Sequence, residues 1–230
     1  TTLFRSGATE KQVTNAGAFF APRKFNMGDA KQKDLMGIPW LLAFALRADG
    51  WFLRSDIIWH KPNPMPESVR DRPTSAHEHV FLLTKAQRYF YDADAVAEPS
   101  IYAGATVTLG EKSLSKGQAK GANVAAGGNA LAASVVVTDT RNLRNVWTIA
   151  TQPYSGAHFA TMPPDLAERC IKAGTKPGDT VLDPFGGAGT TGLVADRLNR
   201  NAVLIELNPQ YRTLAQERIT ADAPLLVGVA

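Results

Sequence analysis

Residues Thr180-Val181-Leu182-Asp183-Pro184-Phe185-Gly186-Gly187-Ala188-Gly189-Thr190-Thr191-Gly192, with Ala202-Val203-Leu204-Ile205-Glu206 about a helix length further on, decide the fold. An apolar run, a glycine turn, a helix-like segment and a second apolar run with an acid at its tip are the ordered parts of a βαβ nucleotide site. The glycines let backbone approach a ligand closely, and the helix that follows offers N–H groups without intrahelical partners. Glu206 is expected to end the second strand, where its carboxylate can accept hydrogen bonds from two ribose hydroxyls.

Working outward, 230 residues with 44% hydrophobic and 20% charged side chains suffice for one sizeable core. The formal charge of +4 favours a polyanionic partner without requiring one. The single cysteine, Cys170, excludes an internal disulfide, and its neighbours Leu166, Ala167 and Ile171 predict a core thiol on the apolar face of a helix. There is no signal peptide and no apolar run near the roughly 20 residues of a membrane span, so a cytoplasmic location is expected. The chain opens on Thr1 rather than Met, and residues 1–33 lack periodicity; a loop and a fragment of a longer chain are expected.

The segment Ile38 to Ala48 reads as a buried helix, with Pro39 in its first turn and Gly50 as its stop. Strands follow at Trp51–His60 and about His79–Thr84, with Tyr89-Phe90-Tyr91 expected to extend the pairing. Between them, residues 61–76 form a proline-rich loop. Residues 99–144 turn to Gly, Ala, Ser and Lys; Leu109 to Gly128 is close to low complexity and reads as flexible, and Val135-Val136-Val137 as a short strand. Order returns at Val146-Trp147-Thr148-Ile149. A helix then buries Leu166, Ala167, Cys170 and Ile171, and a last helix from Pro209 gathers Tyr211, Leu214, Ala215 and Ile219 on one side.

Gly187-Ala188-Gly189-Thr190-Thr191-Gly192 fits the dinucleotide fingerprint G-x-G-x-x-G, and Glu206 lies 19 residues after Gly187, which makes an NAD-dependent oxidoreductase the rival reading. Asp183 opposes it, because a carboxylate directly before the turn repels a pyrophosphate and suits a ligand bearing an ammonium group. The short tail after Glu206 also leaves no second βαβαβ half for nicotinamide. S-adenosylmethionine meets both objections: it has no phosphate, and it carries an ammonium, a sulfonium and a ribose.

These residues resemble the amino DNA methyltransferases, which methylate the exocyclic nitrogen of adenine or cytosine. Asp183-Pro184-Phe185-Gly186-Gly187-Ala188-Gly189-Thr190-Thr191 is similar to their cofactor motif, and Glu206 to their ribose-binding acid. His158-Phe159-Ala160-Thr161-Met162-Pro163 resembles the segment that closes over the methionine end, and Ile57-Ile58-Trp59-His60-Lys61-Pro62-Asn63 the stretch near the flipped base. Base-side segments first and cofactor motif last is the permuted beta-class order, and the similarity covers most of residues 34–220.

The resemblance implies an α/β fold, a Rossmann-like doubly wound sheet of the S-adenosylmethionine-dependent methyltransferase type with an antiparallel hairpin at its edge. It implies one catalytic domain over residues 1–230, with 99–144 a flexible target-recognition insertion. Cofactor contacts are then expected from Asp183, Pro184, Phe185, Gly186, Gly187, Gly189, Thr190, Thr191, Glu206, Asn208, His158, Phe159 and Ala160. Base and DNA contacts are expected from Trp59, His60, Lys61, Asn63, Arg70 and Arg72. The loop after Trp59 carries four prolines, Pro62, Pro64, Pro66 and Pro73, so its cations are pre-ordered for phosphates, although a rigid surface turn needs the same residues. Lys112, Lys116, Lys120, Arg141 and Arg144 are candidates to track a DNA backbone, against the simpler reading that they are solvated. The resemblance also implies double-stranded DNA with an extruded base as the partner; a cognate restriction endonuclease is a further candidate, and a restriction–modification or an orphan role is left open. His77-Glu78-His79 lacks a third ligand at zinc-like spacing, so no metal is expected.

The family's catalytic tetrapeptide, Asp, Asn or Ser followed by Pro-Pro and an aromatic, does not occur in this sequence. Met162-Pro163-Pro164-Asp165 and Gln152-Pro153-Tyr154 are imperfect look-alikes beside the cofactor motif and are read as decoys. The tetrapeptide is expected upstream of Thr1, and the chain alone is expected to be inactive; a catalytically incomplete nucleic-acid-binding module is the non-enzyme alternative.

Overall fold

The computed structural model describes residues 31–110, 132–152 and 161–222. In chain order these form α1 (Ile38–Ala48), β1 (Phe52–His60), β2 (His77–Thr84), β3 (Glu98–Pro99), β4 (Thr106–Gly110), β5 (Ala132–Val136), β6 (Thr140–Arg141), β7 (Val146–Thr148), α2 (Pro164–Gly174), β8 (Thr180–Asp183), α3 (Thr190–Arg197), β9 (Asn201–Leu204) and α4 (Pro209–Asp222). Two compact units divide the chain: Thr1–Ile58 with Glu78–Tyr89, and Trp59–His77 with Phe90–Ala230. Several sequence-based expectations lie outside the described residues: those for residues 1–30, for the part of the low-complexity stretch with Lys112, Lys116 and Lys120, and for Pro153, Tyr154, His158, Phe159 and Ala160.

In the first unit, α1 begins after Gly37 with Pro39 in its first turn and stops at Gly50, whose φ of 92° no β-carbon-bearing residue adopts easily. The expectation of a buried helix is corrected: only Ala43 is buried, while Leu41, Leu42 and Phe44 are exposed. A helix apolar on every side can cover just one stripe on one sheet. Here that stripe centres on Trp40, whose ring meets Phe81 edge-on at 5.0 Å. Tyr89-Phe90-Tyr91 does not extend the strand pairing, because β2 ends at Thr84 and bends follow. Tyr89 instead accepts a hydrogen bond from Arg54 Nε at 3.3 Å. In the second unit the Lys176 ammonium sits 4.9 Å from the centre of the Phe90 ring, and Asp92 N donates to Ala173 O at the end of α2.

The second unit contains the βαβ element. β8 and β9 are parallel, paired from Thr180 with Asn201 to Asp183 with Leu204, and α3 is the crossover that parallel neighbours require. α2 packs against α3 around Ala167, Ile171, Val194 and Ala195, with Met162, Val181 and Leu198 completing the cluster. Burial of each large aliphatic side chain there contributes about 1.5–3 kcal/mol. Within Met162-Pro163-Pro164-Asp165, Pro163 is the buried N-cap of α2 and Pro164 opens its first turn.

Cys170 is corrected. It lies on α2 beside buried Ile171 and lines an apolar depression with Ala167, Thr175, Val181 and Thr191, and the residue as a whole is exposed rather than part of the core. Surrounding protein nevertheless pushes its thiol up to about 11 by desolvation, against a smaller opposing pull from Arg169.

Within residues 99–144 the described parts form antiparallel pairs: β3 with β6 and, beyond a turn, β4 with β5 from Thr106–Val136 to Gly110–Ala132. The short strand expected near Val135 is β5, ending at Val136. Glu98 lies at the base of this arm and accepts from both Arg141 Nε at 2.8 Å and Arg144 Nε at 2.5 Å. These two arginines, read from sequence as DNA-tracking candidates, are therefore occupied in an ion-pair cluster.

Candidate functional site

The glycine loop between β8 and α3 is fixed by two carboxylates. Asp183 ends β8, and its Oδ1 accepts from Phe185 N at 2.9 Å while Oδ2 accepts from the Thr191 hydroxyl at 2.6 Å. A turn that must reverse after a strand is thus held at its second residue and from the first turn of the following helix. Glu206 lies two residues beyond β9; its Oε2 accepts from Gly187 N at 2.8 Å and its Oε1 from Asn208 N at 2.8 Å. The expectation that Glu206 ends the strand is adjusted by those two residues. They carry the chain past Gly186, whose N–H donates to Ile205 O at 2.9 Å.

Asn208 caps α4, its Oδ1 accepting from Gln210 N at 2.9 Å. Each of the four carboxylate oxygens of Asp183 and Glu206 makes one of these bonds, and each has a second lone pair with which to accept from a ligand.

Two glycines in this loop adopt backbone that other residues avoid, Gly187 at φ 50° and Gly189 at φ 76°. Gly189 is also needed for room, since a β-carbon there would lie 2.7 Å from Ala215 Cβ on α4. Thr190 and Thr191 are buried at the start of α3, whereas the Phe185 ring is 73% exposed and available to a planar ligand. Asp183, Phe185, Gly186, Gly187, Gly189, Thr191, Glu206 and Asn208 are thus brought together by direct bonds or close contact; Pro184 follows Asp183 at the surface.

The base-side candidates form a second group in the same unit. Trp59 is buried, with its indole N–H donating to Ile149 O at 2.8 Å, and Lys61 places its ammonium 4.6 Å from the centre of the Trp59 ring. His60 Nδ1 lies 3.2 Å from Thr148 Oγ1. Asn63 clasps the backbone of Thr151 twice, Nδ2 donating to the carbonyl at 3.3 Å and Oδ1 accepting from the N–H at 3.0 Å. Trp59 and Asn63 therefore serve to anchor the loop. Further along, Arg72 donates to Glu67 at 2.7 Å, a bond that holds the Glu67 carboxyl below its ordinary range, and Arg70 is exposed. Among the described residues no group of three or more His, Cys, Asp or Glu side chains is arranged to hold a metal ion, and no helix is long and apolar enough to cross a membrane.

Sequence reasoning missed Arg218, Thr151 and Glu98. Arg218 left a visible signal: it lies three residues after Ala215 and one before Ile219, a charge on the apolar side of α4, and it bonds into the glycine loop. Thr151 left none, because its backbone rather than its side chain receives Asn63.

A family model described as DNA methylase matches residues 13–217. The chain is 48% identical over 200 residues to the Type II methyltransferase M.XycI of Xanthomonas campestris pv. cyanopsidis, covering 87% of this chain and 55% of that protein. It thus spans about half the length of this curated relative. Among solved structures, PvuII DNA methyltransferase (cytosine-N4-specific) is similar with a TM-score of 0.54 at 22% identity, over 82% of this chain and 62% of that one. The M1.HpyAVI–SAM complex is similar with a TM-score of 0.52 at 23% identity, over 79% and 69%. These likenesses bear out the α/β, Rossmann-like methyltransferase fold expected from the sequence. With nearly its whole length matched by the family model, the chain belongs to the DNA methylase family.

Proposed function

We propose that this chain is part of a site-specific DNA methyltransferase that transfers a methyl group from S-adenosylmethionine to the exocyclic amino group of adenine or cytosine. One observation carries the choice of cofactor. The loop N–H groups of Phe185 and Gly187 already donate to the carboxylates of Asp183 and Glu206, and those of Gly186 and Gly189 to the carbonyls of Ile205 and Gly186. A pyrophosphate would meet two fixed negative charges where a dinucleotide loop offers free N–H groups. The same charges suit a cationic, phosphate-free ligand, and the M1.HpyAVI complex, named for its bound SAM, supports the assignment.

In this reading Asp183 receives the ammonium group, Glu206 the ribose hydroxyls, and Phe185 the face of the adenine. Gly186, Gly187 and Gly189 keep side chains out of the ligand's path, Thr190 and Thr191 hold the loop, Asn208 orients Glu206, and His158, Phe159 and Ala160 close the methionine end. When bound, S-adenosylmethionine supplies an electrophilic methyl group on a sulfonium. The protein's own contribution is positioning and electrostatics: an exocyclic amine conjugated to its ring must be held in line, with its hydrogens accepted by polar groups, and the base must first leave the helix stack. Trp59, His60 and Asn63 order the base-side loop, and Lys61, Arg70 and Arg72 meet phosphates of double-stranded DNA. Residues 99–144 contribute to target recognition. The chain, treated as one catalytic domain over 1–230, acts in the cytoplasm beside a cognate restriction endonuclease.

The sequence holds no Asp/Asn/Ser-Pro-Pro-aromatic tetrapeptide. The 230-residue chain is therefore proposed to bind the methyl donor while transferring little or no methyl by itself. A thermal-shift comparison separates the readings: stabilisation by S-adenosylmethionine but not by NAD supports the methyltransferase, and the reverse supports the oxidoreductase. Robust labelling of DNA by this chain alone would remove the proposal of inactivity.

A further inference from the structure

α4 is built against the glycine loop. Gly189 meets Ala215, with room for no β-carbon, and a β-carbon on Gly192 would come within 2.8 Å of Ile219 Cδ1. Between these two contacts Arg218 reaches into the loop, where its Nη1 donates to Ala188 O at 3.0 Å and to Thr190 Oγ1 at 2.9 Å. Ala188 and Thr190 are both buried, so neither oxygen has water as an easy substitute.

Ala188 O and Gly189 N belong to one peptide unit. Its N–H donates to Gly186 O at 2.8 Å and its carbonyl accepts from Arg218. That plane is therefore held at both ends. On the Gly189 side its rotation is unhindered by a β-carbon, because Gly189 is free of the φ restriction that would hold any other residue there.

We propose that Arg218 is a positioning residue that locks the Ala188–Gly189 peptide and so keeps the loop in its ligand-binding form before ligand arrives. The proposal rests on the cofactor reading above for its effect on affinity, through preorganisation; the lock itself does not. At the other end of the same helix pair, Arg197 and Asp222 join α3 to α4 through two bonds, Nε to Oδ2 at 2.6 Å and Nη2 to Oδ1 at 2.5 Å. That ion pair touches no loop atom, and although Asp222 also feels the Arg218 charge, R197M leaves both Asp222 and Arg218 in place and so controls for loosening of α4.

Two measurements on wild type, R218M, R218K and R197M test this. Hydrogen exchange on the unliganded chain should show the Gly189 amide exchanging at least about tenfold faster in R218M, intermediate in R218K and unchanged in R197M. Calorimetry with S-adenosylmethionine should show R218M binding at least about fivefold more weakly, R218K recovering part of the loss, and R197M within about twofold of wild type even where its thermal midpoint falls. R218K keeps a cationic donor and decides by the same readouts if R218M does not fold. Unchanged Gly189 exchange in the Arg218 variants, or equal weakening in R197M, would overturn the proposal. If wild type binds no S-adenosylmethionine the cofactor reading fails, while the exchange data still decide the lock.

Discussion

Asn63 and the backbone of Thr151 are joined edge to edge, the side-chain amide donating to the Thr151 carbonyl at 3.3 Å and accepting from its N–H at 3.0 Å. This is the pairing that one strand makes with another, supplied by a single side chain beyond the end of β1. It ties the proline-rich base-side loop to the segment that leads toward α2. Asn63→Ala removes both bonds at an exposed site, where loss of net hydrogen bonding costs about 1–2 kcal/mol. Thermal denaturation should show a fall of roughly 2–6 °C, on the scale of a chain this size. Asn63→Asp, which keeps the acceptor but sets a carboxylate against the Thr151 carbonyl, should be no better than alanine. A midpoint unchanged in both variants contradicts the clasp.

Gly189 and Gly178 separate steric need from conformational need. Both have positive φ, 76° and 87°, but a β-carbon at Gly178 meets nothing within 4 Å, whereas one at Gly189 lies 2.7 Å from Ala215 Cβ and 3.0 Å from Ala215 Cα. Gly178→Ala should therefore cost about 1–2 kcal/mol, the left-handed penalty alone. Gly189→Ala should cost clearly more, about 2–4 kcal/mol, because backbone of α4 has to move. Chemical denaturation of the two variants compares the penalties directly, and equal losses would show that the loop does not need the space.

The parts of this protein legible in its sequence are those set by local rules. The strand–glycine–helix–strand order from Thr180 to Glu206, the prolines that open α1, α2 and α4, and the stop at Gly50 follow from backbone restrictions that act over a few residues. Readings that depended on distant partners fared worse. Leu41, Leu42 and Phe44 look like core residues until one knows that the neighbouring strands cover only one stripe of their helix. Cys170 has buried neighbours on its own helix, yet its position faces an open depression. Arg141 and Arg144 read as solvated or DNA-facing cations because Glu98, which engages both, lies more than forty residues earlier in the chain. In the site, the sequence singled out Asp183 and Glu206; that both accept from loop N–H groups could be seen only once Glu206 and Gly187 were brought together.

The Cys170 thiol is pushed up to about 11 from an ordinary value of 9.0. At neutral pH its thiolate fraction is then about 100-fold below that of an unperturbed cysteine, since each pKa unit is a factor of ten. Alkylation of the folded chain by iodoacetamide should be slower than that of the denatured chain by about that factor, and should keep rising with pH beyond 9. A rate that levels off near pH 9 would contradict the raised thiol value.

The Arg197–Asp222 pair predicts a pH dependence with a definite sign. The Asp222 carboxyl is held below its ordinary 3.8, chiefly by its hydrogen bond to Arg197. A depressed carboxyl contributes stability that is fully present above the unfolded value and is lost as pH falls through the folded one. Wild type and R197M should therefore differ by a constant amount above about pH 5, with the gap closing below 3.8. A gap that persists unchanged at pH 2 would mean that Arg197 acts through packing.

The central claim, that Asp183 and Glu206 form a site for S-adenosylmethionine, is tested most directly by calorimetric titration of that ligand into wild type, Asp183→Ala and Glu206→Ala. Wild type should bind one equivalent. Each variant should bind at least about tenfold more weakly, because a charge-assisted hydrogen bond contributes about 1.5–3 kcal/mol. Absence of binding by wild type, or the same affinity in both variants, would contradict the assignment.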